Sequence, residues 1–193
     1  MRLAILNEGY SFSTRLLFSL IQLFSRQRVP DAARLTFYRP DFYGSHSKAL
    51  THEAMRGPSA WSVAERELMA AYVSNVNDCP FCIGAHTATA SLAVGDEGMV
   101  ATALADPDSA PISEGLRVTL RMLGKLTSQG DLSVEDVRAV LHSGVSRQQV
   151  EDALAVCYVF NVTNRLADAF GFEIPSPEGF QAGAKYLLRR GYR

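Results

Sequence analysis

The octet Cys79-Pro80-Phe81-Cys82-Ile83-Gly84-Ala85-His86 constrains this chain more than any other stretch. Two thiols stand three residues apart, and an imidazole follows four residues after the second. On an α-helix those spacings gather all three groups within an arc of roughly 60°. Pro80 suits the first turn of such a helix, where a missing N–H costs no hydrogen bond. Asn75, Asn77 and Asp78 lie just before it and break whatever helix precedes. The octet therefore opens the second arm of a helical pair.

The first arm is equally readable. Ser62-Val63-Ala64-Glu65 has the S-x-x-E form of a capping box and opens a helix running to about Val76. Leu68, Met69, Tyr72, Val73 and Val76 share one face of it, while Glu67 lies opposite, in line with Ala70, Ala71 and Ser74. On the octet's helix, Thr89, Ala90 and Ala93 continue the direction in which Cys82 and His86 point. Faces of small side chains let two helix axes approach closely. If the arms fold back as an antiparallel hairpin, Glu67 and His86 stand about equally far from the break and meet. That places a carboxylate beside an imidazole, and the imidazole one turn from a thiol.

The rest of the chain is helical by period. Helices are expected at Ser13–Gln27, from Asp31 to near Arg39, from a Ser45 cap to Arg56, and near Gly98–Ala105. Others follow from about Ile112 to Leu126, after Ser133, from Ser146 to Phe170, and from about Gly179 to Arg189. Met1–Ser11 reads as an extended arm, and no run alternates with period two. The chain is expected to be all-α. Its 193 residues make one domain: an arm and helix over 1–29, a CxxC-bearing half over 30–110, and a second helical half over 111–193. A net charge of -1 with no basic run excludes a polyanion-binding surface. The apolar stretch Leu16–Phe24 is interrupted by Ser19 and Gln22 and is too short to span a membrane. It reads as an amphipathic helix packed on the body or on another subunit. With no export pattern, a reducing cytoplasm is expected, where a C-x-x-C pair is redox-active or metal-binding rather than a structural disulfide.

The chemistry follows from the grouping. A thiol with a pKa near ~8.5 becomes nucleophilic when a helix N-terminus or a neighbouring imidazolium favours its thiolate. His86 is placed to accept the Cys82 proton, and Glu67 to hold the imidazole. Zinc is the rival occupant, but Cys79, Cys82 and His86 supply three ligands and would need Glu67 or His52 as a fourth. Haem attachment is excluded because Ile83, not histidine, follows Cys82. Glu65 belongs to the capping box. Cys157, among Leu154, Val156 and Val159, reads as a buried small residue, and His52 as packing that borders the pocket. Asn161, Asn164 and Arg165 are polar groups spaced along the long helix with several roles open to them, and Trp61 reads as an anchor for the Glu67 helix.

The run Trp61–Leu68, then Asn77-Asp78-Cys79-Pro80-Phe81-Cys82 and His86, resembles the AhpD-like alkylhydroperoxidase group of the carboxymuconolactone decarboxylase superfamily. Phe160-Asn161-Val162-Thr163-Asn164-Arg165-Leu166-Ala167-Asp168 resembles the second half of its peroxidase-related branch. The resemblance implies an AhpD-like helical bundle with a central antiparallel hairpin carrying the CxxC motif, assembled as a homo-oligomer. It also implies hydroperoxide reduction without haem, flavin or another cofactor. Carried over by position, Cys82 is the peroxidatic thiol, Cys79 the resolving one, and His86 with Glu67 the proton relay. The cycle would be reset by an external dithiol, a lipoyl adaptor or a thioredoxin-like protein. The best-studied members carry a histidine where this chain has Phe81, which implies a shorter relay or a weaker activity. Two other readings stay open: a redox sensor or structural oligomer that does not turn over, and a decarboxylase of the superfamily's other kind.

Overall fold

Side-chain caps decide where most helices begin. The computed structural model describes residues 1–192, with the side chain of Phe42 outside the description. In chain order the elements are α1 (Ile5–Glu8), α2 (Phe12–Ser25), α3 (Asp31–Tyr38), a π-helical turn (Pro40–Gly44), α4 (Ser45–Arg56), α5 (Val63–Val76), α6 (Pro80–Val94), α7 (Glu97–Ala105), α8 (Glu114–Gln129), α9 (Val134–His142), α10 (Arg147–Phe170) and α11 (Pro177–Arg190). No strand occurs among the described residues, so the protein is all-α. Ser62, Ser133 and Ser146 form reciprocal capping boxes with Glu65, Asp136 and Gln149. Glu65 is thereby accounted for by the start of α5.

Several boundaries differ from the sequence expectation, α8 for instance running on to Gln129, and three of them have a clear local cause. The arm before Ser11 contains the single turn α1, too short to show a period, which buries Leu6. Ser45 is not a cap: the π-helical turn runs straight into α4, and the Ser45 N–H is taken by the Pro40 carbonyl. Gly44 makes this possible, because a Cβ there would lie 1.9 Å from the Thr36 carbonyl oxygen. Finally, α11 starts at Pro177 because Ser176 accepts the Gly179 N–H.

The core is built around α5, which is buried on nearly every side. Its Leu68, Met69 and Val73 pack with Met55 of α4, Leu120 and Leu123 of α8, and Val156 and Phe160 of α10. Trp61 ties the start of α5 to α10 by donating from Nε1 to the Gln149 carbonyl at 2.8 Å. The chain then turns back through Asn77-Asp78-Cys79, with Asp78 at φ 52°. α6 lies along α5 and is covered on another side by α11. That close approach depends on Gly84, where a Cβ would come within 2.4 Å of the Phe180 ring. A second, smaller apolar cluster gathers Leu6, Leu35, Phe81, Ala167 and Phe172 around the two cysteines. By contrast, α2 touches the body through Phe18, whose ring meets Tyr10 and Phe37 edge-on. Its Phe12, Leu23 and Phe24 are 79%, 71% and 82% exposed. No helix among the described residues is long and apolar enough to cross a membrane.

Candidate active site

The register of α5 on α6 brings Glu67 to His86. The His86 Nδ1 lies 2.7 Å from Glu67 Oε2, and both side chains are buried. A fully buried carboxylate needs counter-charge and donors on every lone pair it exposes. Glu67 finds them at its second oxygen: Arg56 Nη2 donates to Oε1 at 2.6 Å and the Tyr192 hydroxyl at 2.9 Å. Burial pushes the Glu67 carboxyl up. The hydrogen bond from His86, the charges of His86 and Arg56, and the Arg56 hydrogen bond outweigh it and hold the group below the ordinary carboxylate range. Arg66, also buried, donates to the Ala54 and Gly57 carbonyls and so fixes the end of α4 from which Arg56 reaches in. The imidazole is flanked by rings, with Phe160 edge-on at 4.3 Å and Tyr192 stacked at 6.4 Å.

The thiols sit at the other end of the pair. Cys79 is the N-cap of α6 and Cys82 lies in its first turn; they are 0% and 1% exposed, so neither sulfur meets bulk solvent. The two sulfurs interact. A hydrogen bond from Cys82 draws the Cys79 thiol below its ordinary range, against burial and the nearby Asp168 carboxylate, which push it up. The same pairing, with burial and the Cys79 charge, pushes the Cys82 thiol far up. Ionisation of one thiol is therefore favoured over ionisation of both, because the remaining S–H stabilises the single thiolate. The start of α6 adds its macrodipole in favour of the single thiolate.

Asn164 of α10 is wired into this end. Its amide acts on the Cys82 thiol to favour ionisation, and its backbone carbonyl lies 3.8 Å from Cys79 Sγ. Asn164 Nδ2 donates to Ser74 Oγ at 3.0 Å, and its Oδ1 accepts from Asn77 Nδ2 at 3.0 Å. The turn between α5 and α6 is therefore fastened to α10 by neutral groups. A cavity of about 260 Å³ opens at the first turn of α6, lined by Pro80, Phe81, Ala167, Asp168, Phe172 and Ile174 with Arg2 and Gly171, and neither cysteine is among its lining residues. Phe81 stacks edge-on with Phe172 at 5.2 Å and gives this opening an apolar wall.

Residues 45–125, which hold Arg56, Glu67, both cysteines and His86, match the model of the carboxymuconolactone decarboxylase family. The fold as a whole is similar to an uncharacterized peroxidase-related protein from Silicibacter sp. TM1040. That structure shares 25% identity over 91% of each chain, with a TM-score of 0.76. A second structure, an uncharacterized peroxidase-related protein from Ralstonia eutropha JMP134 with an alkylhydroperoxidase AhpD core, shares the fold. It is 21% identical over 91% of this chain and 92% of its own, with a TM-score of 0.74. Residues 45–125 are thus similar to the carboxymuconolactone decarboxylase family, and the whole chain shares the all-α fold of these structures. No curated protein matches the chain.

Within this AhpD-like fold the four sequence-derived residues divide into two pairs, Glu67 with His86 and Cys79 with Cys82. His86 follows Cys82 by one turn of α6, but the hydrogen-bonding neighbour of the Cys82 thiol across the helix interface is Asn164. No three His, Cys, Asp or Glu side chains among the described residues converge as a metal site would require. His52 packs as expected beside the relay, its Nδ1 accepting the Tyr192 N–H at 3.3 Å. Cys157 is buried against Thr127 and Asn161. Arg56 and Tyr192 were not among the sequence candidates. The burial of α5 is the one signal that pointed to Arg56, since a carboxylate inside it demands a cation nearby.

Proposed function

We propose that the protein is a cysteine-dependent peroxidase that reduces hydrogen peroxide or an organic hydroperoxide. The observation that carries this reading is the pair of buried thiols at the start of α6, one turn before a buried Glu67–His86 pair. At rest Cys82 holds its proton against the lowered Cys79; it becomes the nucleophile when His86 takes that proton, and Glu67 stabilises the imidazolium that forms. The Cys82 thiolate attacks a peroxide oxygen; the O–O bond breaks, the sulfur becomes a sulfenic acid, and the alkoxide leaves with the proton from His86. Cys79 then attacks the Cys82 sulfur, a disulfide forms and water departs. An external dithiol supplies the two electrons and two protons that restore both thiols. The apolar lining of the opening beside Phe81 and Phe172 supports entry of an alkyl hydroperoxide.

The test is turnover of cumene hydroperoxide with a dithiol reductant, together with trapping of sulfenic acid by dimedone. Cys79→Ser is expected to accumulate the dimedone adduct on Cys82, and Cys82→Ser to lose turnover by on the order of a thousandfold. Full turnover in Cys82→Ser would overturn the assignment of roles. Consumption of a single equivalent by the wild type would instead mark a sensor.

A further inference from the structure

From the geometry around Glu67 we infer that Tyr192 is a positioning residue, which holds the Glu67–His86 pair in one hydrogen-bonded arrangement and seals it from water. The inference deepens the peroxidase reading and rests on it for its effect on turnover. After α11 the chain turns at Gly191, φ 68°, where the N–H bonds to the Leu187 carbonyl at 2.9 Å. A side chain at Gly191 would also lie 2.8 Å from the His52 ring, so only glycine delivers Tyr192 to this place. Three contacts then fix Tyr192. Its N–H donates to His52 Nδ1 at 3.3 Å, its hydroxyl donates to Glu67 Oε1 at 2.9 Å, and its ring lies 5.1 Å from the Arg56 guanidinium. Arg56 is in turn tied to α11 through the Leu187 carbonyl at 3.2 Å.

The consequence for His86 is geometric. With Oε1 occupied by Arg56 and Tyr192, Glu67 presents Oε2 to the imidazole, at 2.7 Å from Nδ1. A neutral His86 held this way carries its proton on Nδ1 and leaves Nε2 as the acceptor. The Tyr192 ring lies 18° from the imidazole plane with centroids 6.4 Å apart, and the Phe160 ring meets the imidazole edge-on at 4.3 Å. The charged and titratable groups around the pair are Glu67, which bonds the imidazole directly, Tyr192, whose ring lies beside it, and Arg56, which reaches Glu67 and the Tyr192 ring.

Nitrogen-15 NMR of the reduced protein decides the matter without reference to turnover. The wild type is expected to show a slowly exchanging Nδ1–H proton on His86 at mildly alkaline pH. Tyr192→Ala is expected to lose that signal by exchange and mix the two tautomers, and Tyr192→Phe, which keeps the ring, to weaken it partially. In peroxide assays Tyr192→Ala should lower kcat by about tenfold with KM unchanged. Tyr192→Phe carries the test if the alanine variant does not fold. A His86 signal unchanged in folded Tyr192→Phe overturns the inference. A wild type without turnover but with a Tyr192-dependent His86 signal overturns the peroxidase reading alone.

Discussion

The two ends of the α5–α6 pair are built from opposite materials. At the turn, the thiols are organised by neutral groups, Asn77 and Asn164 with Ser74, and no cation lies among the causes acting on either sulfur. Two turns away, Glu67 is held by charge, with Arg56 and His86 on its two oxygens. The difference matters because the thiol end must change oxidation state while the carboxylate end only passes a proton. Cys79 draws its lowered proton affinity from the S–H of Cys82, so that activation vanishes once a disulfide forms. A fixed cation beside the sulfurs would favour both thiolates in every state. The relay end returns to the same charges after each turnover, because the proton that His86 takes it gives to the leaving alkoxide.

The largest effect expected from this contrast is on stability at the charged end. Glu67→Ala leaves Arg56, whose side chain is 10% exposed, without its carboxylate. Removing one member of a buried ion pair costs about 3–5 kcal/mol. Denaturant unfolding of the reduced protein measures it, and a loss near ~1 kcal/mol or less, the range of exposed pairs, would mean that the relay end is not held by charge.

Asn164→Ala strikes the neutral end and should cost less, about 1–3 kcal/mol, because it removes hydrogen bonds but strands no charge. Its sharper signature is chemical. Without the amide that favours ionisation of Cys82, alkylation of the reduced protein by iodoacetamide at neutral pH should slow. Glu67→Gln, which keeps the shape of the relay end and reaches Cys82 only through His86, should slow that alkylation less. Equal slowing in both variants would erase the distinction between the two ends.

What could be read in the sequence is uneven in the same way. The α5–α6 register was legible because helical period and a break of known position fix which residues meet, and Glu67 and His86 do meet. The capping boxes at Ser62, Ser133 and Ser146 were legible because each closes within four residues. Arg56 and Tyr192 were not, since they lie 11 and 125 residues from Glu67 and no local pattern says which distant elements converge. Asn164 stood out only as a polar residue on a long helix; its partners Ser74 and Asn77 sit 90 and 87 residues away. Ser45 misled for a related reason, because the glycine that carries the π-helical turn into α4 is permitted by its approach to Thr36.

The smallest predicted effect is the dependence of stability on acid, and its sign follows from Glu67. The folded protein holds this carboxyl below the ordinary carboxylate range, while the unfolded chain protonates it near ~4.3. The stabilisation from its charged partners is therefore fully present above about pH 5. As pH falls through the interval between those two proton affinities, the unfolded state binds the extra proton and stability drops, by at most about 1.4 kcal/mol per pH unit for one group. Asp136 contributes in the same interval, lowered to about 2 by its hydrogen bonds from Lys125 and Ser133, so the wild type alone does not isolate Glu67. The difference between wild type and Glu67→Gln does. Their unfolding free energies should run parallel from pH 5 to pH 7 and converge below pH ~4, where glutamine has no proton to take up. Curves that remain parallel down to pH ~3 would mean that Glu67 has the same proton affinity in the folded and unfolded protein, and that its charged partners do not hold it ionised.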